Sequence, residues 1–209
     1  VDVARIWRAA AAEPVDGKPV FGPRGFTAQA AQVIAPNTSS TYNPYSYGRF
    51  GGTPYANDGN LVRFSGVQAH QAERLQALLG EHDHLDERQN YGPTTRTLLK
   101  AAIEEPGTIE LSGYAVTPSR RDERVTFEAI DIYDEELADR LDGISEDLPD
   151  WPSDEEDAEE AAVHERKLHH LANQVCEKYG LDNLEAPDEV SVKENPWRPG
   201  ERAVRLWWD

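Results

Sequence analysis

The chain has 209 residues, enough for one sizeable domain or a domain with an appended subdomain, and five Trp, eight Tyr and five Phe can fill a core. A charged fraction of 29% is close to the globular average and excludes wholesale disorder. No run approaches the length of a membrane span, and the single cysteine, Cys176, excludes an intrachain disulfide framework.

The first residues lack the basic-then-apolar layout of a signal peptide, so the expected location is cytoplasmic, with no membrane partner. Sixteen Arg against five Lys, with many Ala and Asp, point to a high-GC bacterial or phage genome. The net charge of −18 is local: residues 131–160 hold 15 of the 39 acids and one of the 21 Lys and Arg, Arg140. A halophile's surface would spread the charge more evenly.

In chain order, residues 1–65 read as an irregular Tyr/Gly/Pro-rich region with one short helix at 26–35, ended by Pro36. Its loop from 37 to 60 carries Tyr42, Tyr45, Tyr47 and Arg49 among closely spaced Gly and Pro, a density that breaks regular structure. Residues 66–145 read as a helix–helix–hairpin core. A helix is expected over 66–79, with Ala72, Leu75, Leu78 and Leu79 on one face and Gly80 just past its end.

The second helix is expected to start near Pro93, to bury Leu98, Leu99, Ala102 and Ile103, and to end at Pro106-Gly107. Next comes the clearest hairpin: Ile109, Leu111 and Ala115 alternate with polar residues, 118–122 forms the turn, and Val125, Phe127 and Ala129 return. A phase shift to Ile130 and Ile132 predicts a bulge near Ala129. Asp134 caps a short helix carrying Leu137, Leu141 and Ile144.

Residues 146–209 read as an acidic linker containing Trp151, a long helix near 153–179 opened by a Ser153/Glu156 capping box, and a C-terminal hairpin. The helix stripe is Ala161, Leu168, Leu171, Val175 and Tyr179, and the hairpin alternates Val204, Leu206 and Trp208 with Arg205 and Trp207. Helices and hairpins in separate runs give an α+β class with antiparallel hairpins packed on several helices, in one compact domain overall.

Candidate chemistry is sparse. His82, His84 and Asp86 resemble the opening of the dinuclear zinc motif of the metallo-β-lactamase superfamily, but Glu87 stands where that pattern wants His, and a helix precedes it instead of a strand. His164, His169 and His170 lack the i, i+4 histidine pair of a zinc protease, because residue 168 is Leu. There is no Ser/His/Asp order, phosphate loop or nucleotide fingerprint, and no cofactor or metal is expected.

The candidate binding residues are therefore electrostatic and aromatic. Arg120, Arg121 and Arg124 sit at the central hairpin tip, and Trp197 and Arg198 lie in the C-terminal turn. Asp139, Asp142, Glu146, Asp147, Asp150 and Asp154 extend the acidic block beyond what a helix dipole rewards. The leading expectation is a non-enzymatic acidic protein-binding or regulatory protein, encoded by a phage or mobile element, whose partner is another protein of basic character. The alternatives are a nucleic-acid-binding accessory factor using the arginine tip and the Tyr-rich loop, and then an enzyme with an unrecognised site.

Overall fold

The computed structural model describes residues 17–34, 61–82, 84–145, 155–195 and 199–209. The elements in chain order are α1 (Phe26–Ile34), β1 (Leu61–Val67), α2 (Ala69–Gly80), α3 (Thr95–Glu104), β2 (Ile109–Val116), β3 (Arg124–Ile132), α4 (Glu135–Ser145), α5 (Glu155–Lys178), β4 (Glu189–Glu194) and β5 (Arg202–Trp207). The five strands form one antiparallel sheet in the order β1-β2-β3-β5-β4. The class is α+β, as the separated helix and hairpin signals predict. No helix among the described residues is long and apolar enough to cross a membrane.

One region departs from the sequence reading. Residues 61–67 form a strand at the sheet edge rather than the end of an irregular region and the start of a helix, so the boundary expected between 65 and 66 falls inside β1. The reason is a bulge: the register against β2 slips between Phe64 and Val67, with Gly66 at φ +70, a conformation that glycine adopts without penalty. The slip lets Phe64 and Val67 both face the core, a spacing that breaks the period of two and hides the strand from pattern reading. The helix then begins at Ala69, where the Gln71 side chain accepts a hydrogen bond from the Gln68 amide.

The remaining elements follow their patterns. Thr94, one residue past Pro93, caps α3 by accepting from the Thr97 amide at 3.4 Å. Asp134 caps α4 through the Leu137 amide at 3.1 Å. The predicted bulge falls at Glu128, next to Ala129, where β3 carries one more residue than β2 between paired positions. Opposite it stands Gly113, where an added Cβ would lie 2.0 Å from the Thr126 carbonyl oxygen. The 24 described residues of α5 make a rod of about 36 Å and end at Lys178, one residue before the expected Tyr179. Ser153 and Trp151 lie outside the described residues.

The helices pack on one face of the sheet. Ala72, Leu75 and Leu79 of α2, Leu98, Leu99 and Ala102 of α3, Leu137 and Leu141 of α4, and Leu171 and Val175 of α5 join Ile109, Leu111, Phe127, Ile130, Ile132, Val204 and Leu206 in a single apolar cluster. Each large side chain so buried contributes about 1.5–3 kcal/mol over its exposed state.

Asp182, after α5, staples this layer to the start of α3. It accepts from the Thr94 amide at 2.7 Å and the Thr97 hydroxyl at 2.6 Å. Burial alone would raise its carboxyl, but the bonds from Thr97 and Thr94 outweigh that and hold it below the ordinary carboxylate range. The staple's contribution is therefore complete above the unfolded value, about pH 4, and is lost as pH falls through the folded one.

Replacing Gly113 with Ala forces β2 away from β3 at the bulge. The expected cost is about 3 kcal/mol, visible as a thermal midpoint lowered by about 6–12 °C, whereas the same change at the open Gly143, inside α4, raises the midpoint by about 1–4 °C through helix propensity.

Candidate functional site

Three groups of polar side chains are placed by this framework. The first lies on the sheet face opposite the helices, where strand alternation points Glu110 and Ser112 of β2, Thr126, Glu128 and Asp131 of β3, and Arg205 of β5. A simple hydrophobic-in, polar-out reading would leave this face wet, but all six residues are buried. Asp131 and Arg205 are direct cross-strand partners, and two parallel bonds of 2.6 Å join guanidinium and carboxylate. Ser112 accepts a further bond from Arg205 at 3.1 Å.

Arg63 donates to Glu128, whose carboxyl is nevertheless raised because burial outweighs the attraction of Arg63. Tyr133 donates to Glu110 at 3.1 Å and accepts from Asn195 at 2.7 Å. On β4, burial and then the Arg205 charge bring the Lys193 amine down to about 8.

The second group is the tip of the β2–β3 hairpin. Arg120 clamps Asp122 with bonds of 2.8 and 2.6 Å, and Arg124 reaches the same carboxylate at 2.7 Å. The Arg120 bond is the largest influence holding the Asp122 carboxyl below its usual range. Arg124 also lies 5.5 Å from the centre of the Tyr114 ring, and Arg63 lies 5.9 Å from it.

Arg121 turns instead to a strap formed by residues 17–25. Its Nε donates to the Lys18 carbonyl, and the Val20 amide donates to the Arg121 carbonyl at 2.9 Å. Gly17 stands at φ +85, a conformation that glycine adopts without penalty, and the guanidinium lies 2.8 Å from where a Cβ would be. Arg24 closes the strap on the Pro118 carbonyl, and Glu123 receives the amides of Gly25 and Thr27. The structure thus engages all three tip arginines within the fold.

The third group is an acidic ridge on α4. Glu135, Asp139 and Asp142 fall at i, i+4 and i+7, on one helical face. Arg202, at the start of β5, donates to all three. The carboxylates nevertheless keep 59, 68 and 43% of their side-chain surface in solvent. Asp139 and Asp142 were expected in an acidic surface that extends beyond what a helix dipole rewards; Arg202 relieves part of their repulsion. Glu135, absent from the sequence-derived candidates, was legible from its spacing to Asp139.

The histidine motif is packed. His84 is buried, and its Nε2 lies 2.8 Å from the Val125 carbonyl, to which it donates. Nε2 of His82 is buried without a hydrogen-bond partner among the described residues, and its ring rests on Phe26 at 5.2 Å. Among the described residues no three His, Cys, Asp or Glu gather to hold a metal. His164 is buried on the α5 stripe, and burial pushes the Cys176 thiol up to about 12, far from a reactive thiolate.

Tyr42, Tyr45, Tyr47, Arg49, Glu146, Asp147, Asp150, Asp154, Trp197 and Arg198 lie outside the described residues. No family of known proteins matches the chain, and neither a curated protein nor a solved structure matches it.

The buried Asp131–Arg205 pair makes a quantitative prediction. Asp131→Asn leaves the guanidinium short of a charged acceptor and should cost about 3–5 kcal/mol in denaturant unfolding. Pairing it with Arg205→Met removes the orphaned charge and should recover a large part of that loss, giving a strong coupling in the double-mutant cycle.

Proposed function

We propose that this chain is a binding protein that recognises a basic segment of another protein through the acidic ridge of α4 and the acidic stretch that follows it. The observation that carries the reading is the arrangement of Glu135, Asp139 and Asp142: three carboxylates in line, oriented from below by Arg202, each with its outer side in water. Carboxylates already held in line lose less entropy when a partner's cations dock than mobile ones do. Their field also steers encounter, an effect that acts chiefly on the association rate and weakens with salt.

The nucleic-acid alternative draws less support from this geometry, because Arg120 and Arg124 are tied to Asp122 and Arg121 to the strap.

Binding of a synthetic Arg/Lys-rich peptide, followed by surface plasmon resonance at low and high salt, tests the reading. Asp139→Asn with Asp142→Asn should slow association about tenfold at low salt. Arg202→Gln, which uncovers one more unit of negative charge on the ridge, should accelerate it. The same charge change made at Glu104, the last residue of α3, and at Glu105, which follows it, should have little effect. Equal losses at the ridge and at α3 would reduce the ridge to a contributor to net charge.

A further inference from the structure

We propose that His84 is an acid-sensitive latch for the 17–25 strap, holding it closed while the imidazole is neutral and releasing it when the ring is protonated. Three observations converge on this residue. First, the strap covers it: Phe21 meets the His84 ring edge-on at 5.8 Å, and Phe26, at the strap's junction with α1, lies 5.6 Å away. Second, the ring is only 1% exposed, so its charged form finds no water while the strap is closed. Third, its Nε2 bond goes to the Val125 carbonyl at the base of the same hairpin tip that grips the strap, so a shift of the ring is felt at the strap's anchor.

Among the described residues, the charged surroundings do not relieve a protonated ring. Glu87 favours the cation, but Arg124 and His82 oppose it, and burial outweighs all of them, lowering the imidazole from its ordinary value. Around the strap, Arg121 and Arg24 donate to backbone carbonyls, while Glu123 accepts amides from residues 25 and 27. Glu81 and Asp86 flank the histidine on its own loop, and Asp86 is held by Arg96.

The sign follows from linkage. With the closed-state value below that of the open, hydrated ring, both states are neutral above about pH 6.5 and the strap is fully stabilised. As pH falls below that point the open state takes up a proton that the closed state refuses, and closure weakens until the closed-state value is passed. Opening frees Phe21 from the His84 ring and releases the exposed Arg121 guanidinium from the Lys18 carbonyl.

The strap's rigidity is read at the Val20 amide, which donates to Arg121, by hydrogen-exchange protection factors between pH 7 and 5, above the ordinary carboxylate range. Wild-type protection should fall by up to about tenfold per pH unit below 6.5, the limit for one proton. His84→Gln, which keeps a neutral donor for Val125, should make protection flat across the same range. Constant wild-type protection, or an equal fall in His84→Gln, overturns the proposal.

If that variant does not fold, Phe21→Ala provides an independent reading, because Phe21 sits on the surface strap. Removing its ring should move the His84 imidazole titration, followed by proton NMR, upward toward that of a free histidine. An unmoved titration would likewise overturn the latch.

Discussion

The constraint on which the structure depends is that β3 is buried on both faces. On one face it supplies Val125, Phe127, Ile130 and Ile132 to the apolar cluster; on the other it carries Thr126, Glu128 and Asp131, which are also buried. A carboxylate in that position is tolerable only with a charged, well-oriented partner, and Arg205 is delivered directly opposite Asp131 by the β3–β5 register. A one-residue slip would turn Val204 and Leu206 away from the core and part the two charges, so packing and electrostatics select the same register. That register also fixes Arg202, three residues earlier on β5, beneath the carboxylates of α4. The ridge inherits its geometry from the centre of the sheet.

Six arginines among the described residues therefore act as fasteners. Arg205 joins two strands, Arg202 ties the C-terminal hairpin to α4, Arg121 and Arg24 hold the strap, and Arg120 and Arg124 share Asp122. Guanidinium suits the task because its rigid fork satisfies a carboxylate by two bonds and reaches several acceptors at once. Arg205, Arg202, Arg120 and Arg124 end on carboxylates, whereas Arg121 and Arg24 end on backbone carbonyls; Asp131 has a guanidinium of its own inside the fold, and the three carboxylates of α4 share a single one.

What the sequence made legible follows from which signals are local. The period of 3.6 in α2, α3 and α5, the Asp134 cap and the alternation of the two hairpins are decided by neighbours in the chain, and the structure reproduces them. β1 was not legible, because its Gly66 bulge removes the alternation that identifies a strand. The polar face of the sheet was not legible either, since Glu110, Glu128 and Asp131 look like solvent-facing residues until Arg205, 74 residues beyond Asp131, comes to lie opposite. The role of Arg121 was hidden for the same reason: its partners in the strap lie about a hundred positions earlier, in a segment with no periodicity to read.

The two devices lie at opposite ends of β3. The strap grips the hairpin tip at Pro118, Arg121 and Glu123, just before β3 begins, while the ridge begins at Glu135, just past Ile132. Nine strand residues separate them by about 30 Å, several Debye lengths at physiological salt, so a proton taken up at His84 has little direct electrostatic reach to the α4 carboxylates. A mechanical path would have to run along a strand packed on both faces, and such a strand holds its position because any shift opens voids or parts the Asp131–Arg205 pair. Strap release and recognition at the ridge are accordingly separable: the sheet centre that orients the ridge also isolates it from events at the tip.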